Sequence, residues 1–242
     1  SCLNNFELKE IAEICDENDI LAIEDLAYLG MDFRKDYSVP FSKPFIPTIG
    51  KFGKNWITLI SASKAFSFPG PRCAISIISP HLNEKKYSNL KDFCDREQFG
   101  HAFSLGGLYV TTSGTSHTAQ YALAKMLDSA TNNEFNFIKV TSEYGKRAEK
   151  VKDIFLKYGF KQVYKKDMDE PVGNGFYLTM SYPKYNGNDL MLELLRYGIS
   201  TITLKSTGSV RHEGLRVCIS FIGLEEVPML ESKLQKFMEN HK

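Results

Sequence analysis

Residues 56–72 read WITLISASKAFSFPGPR. Trp56-Ile57-Thr58-Leu59-Ile60 is a β-branched and apolar run, the pattern of a buried strand. It gives way to Ser61-Ala62-Ser63-Lys64. In open α/β sheets, functional groups gather at the carboxyl ends of the strands. Two hydroxyls and one amine are therefore expected at a ligand-binding edge. Ala65-Phe66-Ser67-Phe68 is apolar enough to pack down, and Pro69-Gly70-Pro71 turns the chain and aims Arg72 back toward the same region. Phe66 and Phe68 are expected to wall Lys64 off from water, which disfavours the ammonium form of an amine, as a nucleophilic lysine requires. Ser61, Ser63 and Arg72 supply two neutral donors and a planar fork, a set suited to a phosphate. Taken singly, each group has a plainer reading: a loop lysine, two turn serines and a surface arginine.

The stretch before it repeats the design. Asn5 to Asp19 has helical spacing, with Leu8, Ile11, Ala12 and Cys15 on one face. Asn5 is the candidate cap, and Leu8 three positions on leaves no capping box. Ile20-Leu21-Ala22-Ile23 is a continuous apolar strand followed by Glu24-Asp25-Leu26-Ala27-Tyr28. A helix, then a strand, then a second strand of the same buried type predicts a parallel α/β sheet. Asp25 alone reads as a turn residue. Beside Lys64, a carboxylate can keep a pyridine nitrogen protonated.

The set S-x-S-K-x-F-x-x-P-G-x-R, from Ser61 to Arg72, resembles the cofactor-lysine motif of fold-type I pyridoxal-phosphate enzymes, the class I/II aminotransferases. The D-x-A-Y spelling of Asp25 to Tyr28 resembles a second motif of that family. The resemblance implies that Lys64 holds pyridoxal 5'-phosphate as a Schiff base and is the catalytic residue. It implies that Ser61, Ser63 and Arg72 hold the cofactor phosphate, that Asp25 pairs with the pyridinium nitrogen, and that Tyr28 donates to the phenolic oxygen.

Composition narrows the partners. The 242 residues carry 30 basic and 29 acidic side chains, for a formal net charge of +1, which argues against a nucleic-acid footprint. No apolar run approaches the ~20 residues of a membrane span. Cys2, Cys15, Cys73, Cys94 and Cys218 are scattered and form no C-x-x-C pair. They read as free thiols of a reducing compartment, hence a cytoplasmic protein with no metal site.

After Arg72, residues 73–78 form a third strand, which the resemblance sets antiparallel beside the lysine strand. Residues 81–99 read as helical, and His101 beyond them receives no role. Gly106-Gly107 opens a strand-like segment, LYVTTSGTS; Ser116 starts a helix; and residues 132–158 read as one long helix bent near Gly145. Beyond it, residues 160–164, 176–180, 199–204 and 214–221 are strands. Asn188 or Asp189 caps a helix that Gly198 ends, and residues 225–240 form the last helix. Arg216 stands between Leu215 and Val217, so on a strand it faces away from them. It is either an edge-strand arginine or a bidentate clamp for a carboxylate. The spelling around it resembles the family's substrate-carboxylate arginine, and on that ground Arg216 is preferred to Arg211.

The expected fold is α/β and resembles the PLP-dependent transferases. Residues 1–130 are the C-terminal part of a large cofactor domain with a mainly parallel sheet, and residues 131–242 are a smaller α+β domain. A start at Ser1 and a three-strand remnant of the sheet predict a piece of a larger enzyme, with exposed apolar surface along Ile20–Ile23. The resemblance implies an aminotransferase acting on an α-amino acid and a 2-oxo acid, as a homodimer. The alternatives are a PLP-dependent β-lyase or decarboxylase of the same fold, or an inactive fragment.

Overall fold

A computed structural model describes residues 2–167, 169–173 and 175–241; Ser1, Met168, Asn174 and Lys242 lie outside them. The chain divides into two compact units. The lysine unit comprises Leu3–Gly30 and Asp36–Ile138, and the C-terminal unit comprises Cys2, Met31–Lys35 and residues 139–241.

The lysine unit begins with helix α1, Asn5–Glu17. Its cap is Asn4, not Asn5. The Asn4 side chain accepts from the Phe6 and Glu7 N–H groups at 2.8 and 3.0 Å, and the Glu7 carboxylate accepts from the Asn4 N–H at 2.7 Å. This is a full capping box, invisible when the helix is started one residue late. Leu8 and Ala12 are the buried pair, packed with Ile49 against Trp56 and Phe52, while Ile11 stays exposed.

Three strands follow: β1 (Ala22–Asp25), β2 (Trp56–Ser61) and β3 (Ala74–Ile78), in sheet order β1-β2-β3. β1 and β2 run parallel, and β3 lies antiparallel to β2, with Ser61 opposite Ala74. Among the described residues β1 is an edge strand with only β2 beside it. The apolar surface expected to lie open along this strand is open: Ile20, Leu21 and Ile23 are exposed, Ile23 to 62%.

One helical turn, α2 (Ala62–Ala65), continues β2. Ala62, Ala65 and Phe66 enter a small core with Cys73 and with Ala119 and Leu123 of helix α3, His117–Thr131. Residues 81–99 are broken where one helix was expected, with short helical turns at Pro80–Glu84, Ser88–Leu90 and Lys91–Cys94. Asp95 in the left-handed region ends the last of them. The segment expected as a strand after Gly106 is helical, with Ala102–Tyr109 in wide π-type turns running into Val110–Thr112.

Helix α4 spans Phe137–Lys157, and α3 ends separately at Thr131. From residue 139 on, α4 belongs to the C-terminal unit. That unit holds a four-stranded sheet built from β4 (Lys161–Gln162), β7 (Tyr177–Ser181), β9 (Leu215–Cys218) and β8 (Ile202–Thr203), in that order, every pair antiparallel. A two-residue ladder, β5 (Lys166–Asp167) with β6 (Glu170–Pro171), stands apart from it. Helix α5 (Gly187–Arg196) is capped by Asn186, which accepts from the Asp189 N–H at 3.0 Å, so the cap precedes both expected candidates. Gly198 closes the helix end at φ +70°, a conformation that favours glycine. Helix α6 is Val227–Asn240.

One continuous core joins α4, α5, α6 and the sheet through residues such as Phe155, Met180, Leu194, Leu215, Leu234 and Phe237. The short segment Met31–Lys35 completes this unit. Phe33 packs on Gly145 so closely that a Cβ there would stand 2.8 Å from the Phe33 ring. Arg34 donates to the Pro171 carbonyl at 2.7 Å. Among the described residues no helix is long and apolar enough to cross a membrane.

Candidate active site

β1 and β2 are parallel and in register from Ala22–Trp56 to Asp25–Leu59, so their carboxyl ends share one edge of the sheet. The Leu26 N–H donates to the Leu59 carbonyl at 2.8 Å and extends that pairing past the strand. Asp25 closes β1 and is exposed at this edge. Its carboxylate accepts from the Ala27 N–H at 2.9 Å, a turn that carries the chain round to Tyr28. The Tyr28 ring lies 5.7 Å from Lys64 Nζ. Two residues far apart in the chain thus meet because two strands end together.

Ser61 closes β2 and caps α2, its Oγ accepting from the Ser63 N–H at 3.2 Å. Within the turn, Ala62, Ala65 and Phe66 have the i, i+3, i+4 spacing that defines one helix face, and that face is buried. Lys64 falls on the other side. The expected aromatic wall is therefore not where the sequence reading put it: Phe66 is core, 4.8 Å from the Phe137 ring, and Phe68 packs on the same cluster. Lys64 is half-buried beside Tyr28, and among the described residues its amine makes no hydrogen bond or ion pair.

The chain beside Arg72 is tied to the same turn. The Ala62 N–H donates to the carbonyl of Cys73, the residue after it, at 3.1 Å. Arg72 itself is exposed, at φ +55°, and its guanidinium donates to the Pro69 carbonyl at 3.0 Å. Asp25, Tyr28, Ser61, Ser63, Lys64 and Arg72 all belong to the lysine unit.

The sequence reading missed Glu24. It points to the opposite face of β1 from Asp25, and its carboxylate accepts from Thr48 Oγ1 at 2.7 Å, the Ile49 N–H at 3.0 Å and Thr58 Oγ1 at 2.9 Å. These bonds tie the loop before β2, and β2 itself, to the strand that ends in Asp25. Strand alternation was the available signal: an acid next to Asp25 on a strand must face inward if Asp25 faces out.

Arg216 stands in the C-terminal unit as the second residue of β9. Leu215 and Val217 point into the core, and Arg216 lies half-buried on the other face, opposite Thr179. Its guanidinium carbon is 4.2 Å from the centre of the Tyr177 ring. Among the described residues it has no carboxylate partner and no hydrogen bond. Arg211 differs. It grips Glu213 through Nε at 2.8 Å and Nη2 at 2.6 Å, and that bond holds the Glu213 carboxyl below the usual carboxylate range. A cavity of about 300 Å³ opens on the sheet between Tyr177, Thr179, Gln162, Tyr164 and Lys166. Among the described residues no cluster of His, Cys, Asp and Glu is placed to hold a metal ion.

Solved structures with this fold are numerous. A protein from Pyrococcus superposes with a TM-score of 0.72 at 16% identity, over 100% of this chain and 55% of its own. The N-succinyldiaminopimelate aminotransferase of Mycobacterium tuberculosis gives a TM-score of 0.70 at 16% identity, over 98% of this chain and 55% of its own. The α-aminoadipate aminotransferase of Thermus thermophilus, solved with N-(5'-phosphopyridoxyl)-L-leucine, gives 0.67 at 14% identity, over 97% of this chain and 54% of its own. These likenesses show the fold, that of the fold-type I PLP-dependent aminotransferases, and this chain spans about half the length of each. No curated protein sequence matches it. The model of the family "Aminotransferase class I and II" matches residues 1–230. With nearly the whole chain inside that match, the protein belongs to the class I and II aminotransferase family.

Proposed function

We propose that this chain carries out, or contributes the lysine-bearing part of, a pyridoxal-phosphate-dependent amino-group transfer between an α-amino acid and a 2-oxo acid. The observation that carries the reading is the meeting of Lys64 with Tyr28 at the edge where β1 and β2 end. The residues present fit the cofactor. An amine without hydrogen-bond partners among the described residues follows two serines at the end of one strand, with a carboxylate at the end of the neighbouring strand. Lys64 would hold the cofactor, Ser61, Ser63 and Arg72 its phosphate, Asp25 its ring nitrogen and Tyr28 its phenolic oxygen. When bound, the cofactor supplies an electron sink that stabilises charge developing at the substrate α-carbon.

The rest falls to the chain's own side chains. Arg216, with its charge unneutralised, takes the substrate carboxylate in a two-point grip that fixes which α-carbon bond is aligned for cleavage. Lys64 Nζ carries the α-proton, acting as the base once its amine is free. Asp25 and Glu24 face opposite sides of one strand, so one carboxylate is exposed at the edge while the other anchors the strand. A homodimer in the cytoplasm belongs to the same reading.

Borohydride reduction after incubation with pyridoxal phosphate, followed by peptide mass mapping, tests it. A phosphopyridoxyl group on Lys64 and on no other lysine is expected, absent from Lys64→Ala. No adduct, or one spread over surface lysines, removes the cofactor role. With an amino acid added, formation of the matching 2-oxo acid supports transfer, whereas release of ammonia and pyruvate assigns the site to a β-lyase.

A further inference from the structure

Arg216 is held by an aromatic ring where an arginine of its kind commonly has an acid. Tyr177 faces Cys218 across β7 and β9, and Thr179 faces Arg216, so Tyr177 and Arg216 are diagonal neighbours on the same sheet face. Diagonal side chains of this length reach each other. The guanidinium lies 4.2 Å from the ring centre, well inside the range of a cation–π contact. Behind the ring, Phe176 meets Tyr177 edge-on at 6.3 Å, and Tyr144 of α4 meets Phe176 edge-on at 4.6 Å. Phe176 is buried. The platform is thus backed by a row of aromatic rings that runs from the sheet into the helix.

From this geometry we infer that Tyr177 is the positioning residue for Arg216, and that its ring face sets the plane in which the guanidinium meets a carboxylate. The inference rests on the reading of Arg216 as the carboxylate clamp. A ring is suited to this work because it orients the cation without neutralising it. An aspartate or glutamate in the same place would compete with the substrate for the same donors, as Glu213 does for Arg211. Tyr177 also lines the cavity of about 300 Å³.

The test is a double-mutant cycle on the intact protein, read by calorimetric binding of a 2-oxo acid, pyruvate, and by steady-state kinetics with an amino donor. Tyr177→Leu is expected to weaken carboxylate binding and raise KM about tenfold with kcat within about twofold, the size of a desolvated cation–π contact. Tyr177→Phe keeps the ring face and is expected to bind like the parent. In an Arg216→Ala background, Tyr177→Leu is expected to add nothing, because the ring acts only through the arginine. Equal and additive losses in both backgrounds, or a Tyr177→Phe as weak as Tyr177→Leu, would overturn the inference and leave the clamp reading intact. If Arg216→Ala binds pyruvate as well as the parent, the clamp reading falls and the inference with it.

Discussion

Arg211 and Arg216 flank the start of the last strand, and their surroundings separate them. Arg211 is exposed and bound to Glu213, while Arg216 is half-buried and meets only a ring among the described residues. A side chain already engaged by an acid at 2.6 Å makes a poor receptor for a second carboxylate. The same comparison applies to Asp32 and Arg34, which form a fork-to-carboxylate pair at 2.8 Å through both Nε and Nη2. Burial pushes the Asp32 carboxyl up, but the Arg34 guanidinium and N–H together hold it below the usual range. A depressed value in the folded state means stability that is present above the unfolded value of about 4 and is lost as pH falls through the folded one. Asp32→Asn is therefore expected to cost about 1–3 kcal/mol at neutral pH. Urea denaturation at pH 7 and pH 3 checks it: the gap between parent and variant should close in acid, and a gap independent of pH would exclude the ion pair as its source. At this scale the sequence reading set Lys64, Asp25 and Tyr28 at or just past the ends of two strands, and those strands do share one edge. It was silent on Glu24 and Tyr177, whose roles depend on strand facing and on a register that pairs residue 177 with 218.

Among the elements, the strands that end in functional groups were legible and several connectors were not. β2 and β3 stood out because β-branched runs bounded by Ser and Pro have few other solutions. The segment after Gly106 misled because Leu-Tyr-Val-Thr-Thr favours strands, yet local helical hydrogen bonds prevailed. Thr111 and Thr112 bond back to the Gly107 and Leu108 carbonyls at 2.6 and 2.7 Å, the way hydroxyls settle into a helix. The expected bend of α4 at Gly145 has a different explanation. Gly145 is buried and serves as the seat of the Phe33 ring, within a helix that runs from Phe137 to Lys157 without interruption. An exposed helical glycine changed to alanine usually gains about 1 kcal/mol. Here a methyl group would stand 2.8 Å from Phe33 Cγ and 3.0 Å from its Cβ, atoms close to the backbone that cannot swing away. Gly145→Ala is expected to lose about 1 kcal/mol or more through overpacking, and Phe33→Ala in the same chain should relieve it. A stabilised Gly145→Ala in chemical denaturation would show that the ring yields.

Taken as a whole, the molecule has unequal halves. The C-terminal unit has one continuous core, and the lysine unit has two small clusters and an edge strand whose isoleucine is mostly exposed. The family resemblance led to the expectation of two regions, divided between residues 130 and 131. It did not show that five residues of the first region, Met31–Lys35, are built into the second. No composition signal marks such a segment, because what assigns it is a ring fitted to a glycine more than a hundred positions away. The C-terminal unit is for that reason discontinuous, and no single scissile bond parts the two units cleanly. A polypeptide of residues 139–241 would lack Phe33, the Asp32–Arg34 pair and the bond from Arg34 to Pro171. It should melt well below the same unit in the intact chain when followed by circular dichroism, and a synthetic peptide of residues 29–36 should raise its melting temperature in trans. Anyone trimming or permuting this protein would have to carry that short strap along with the unit it closes.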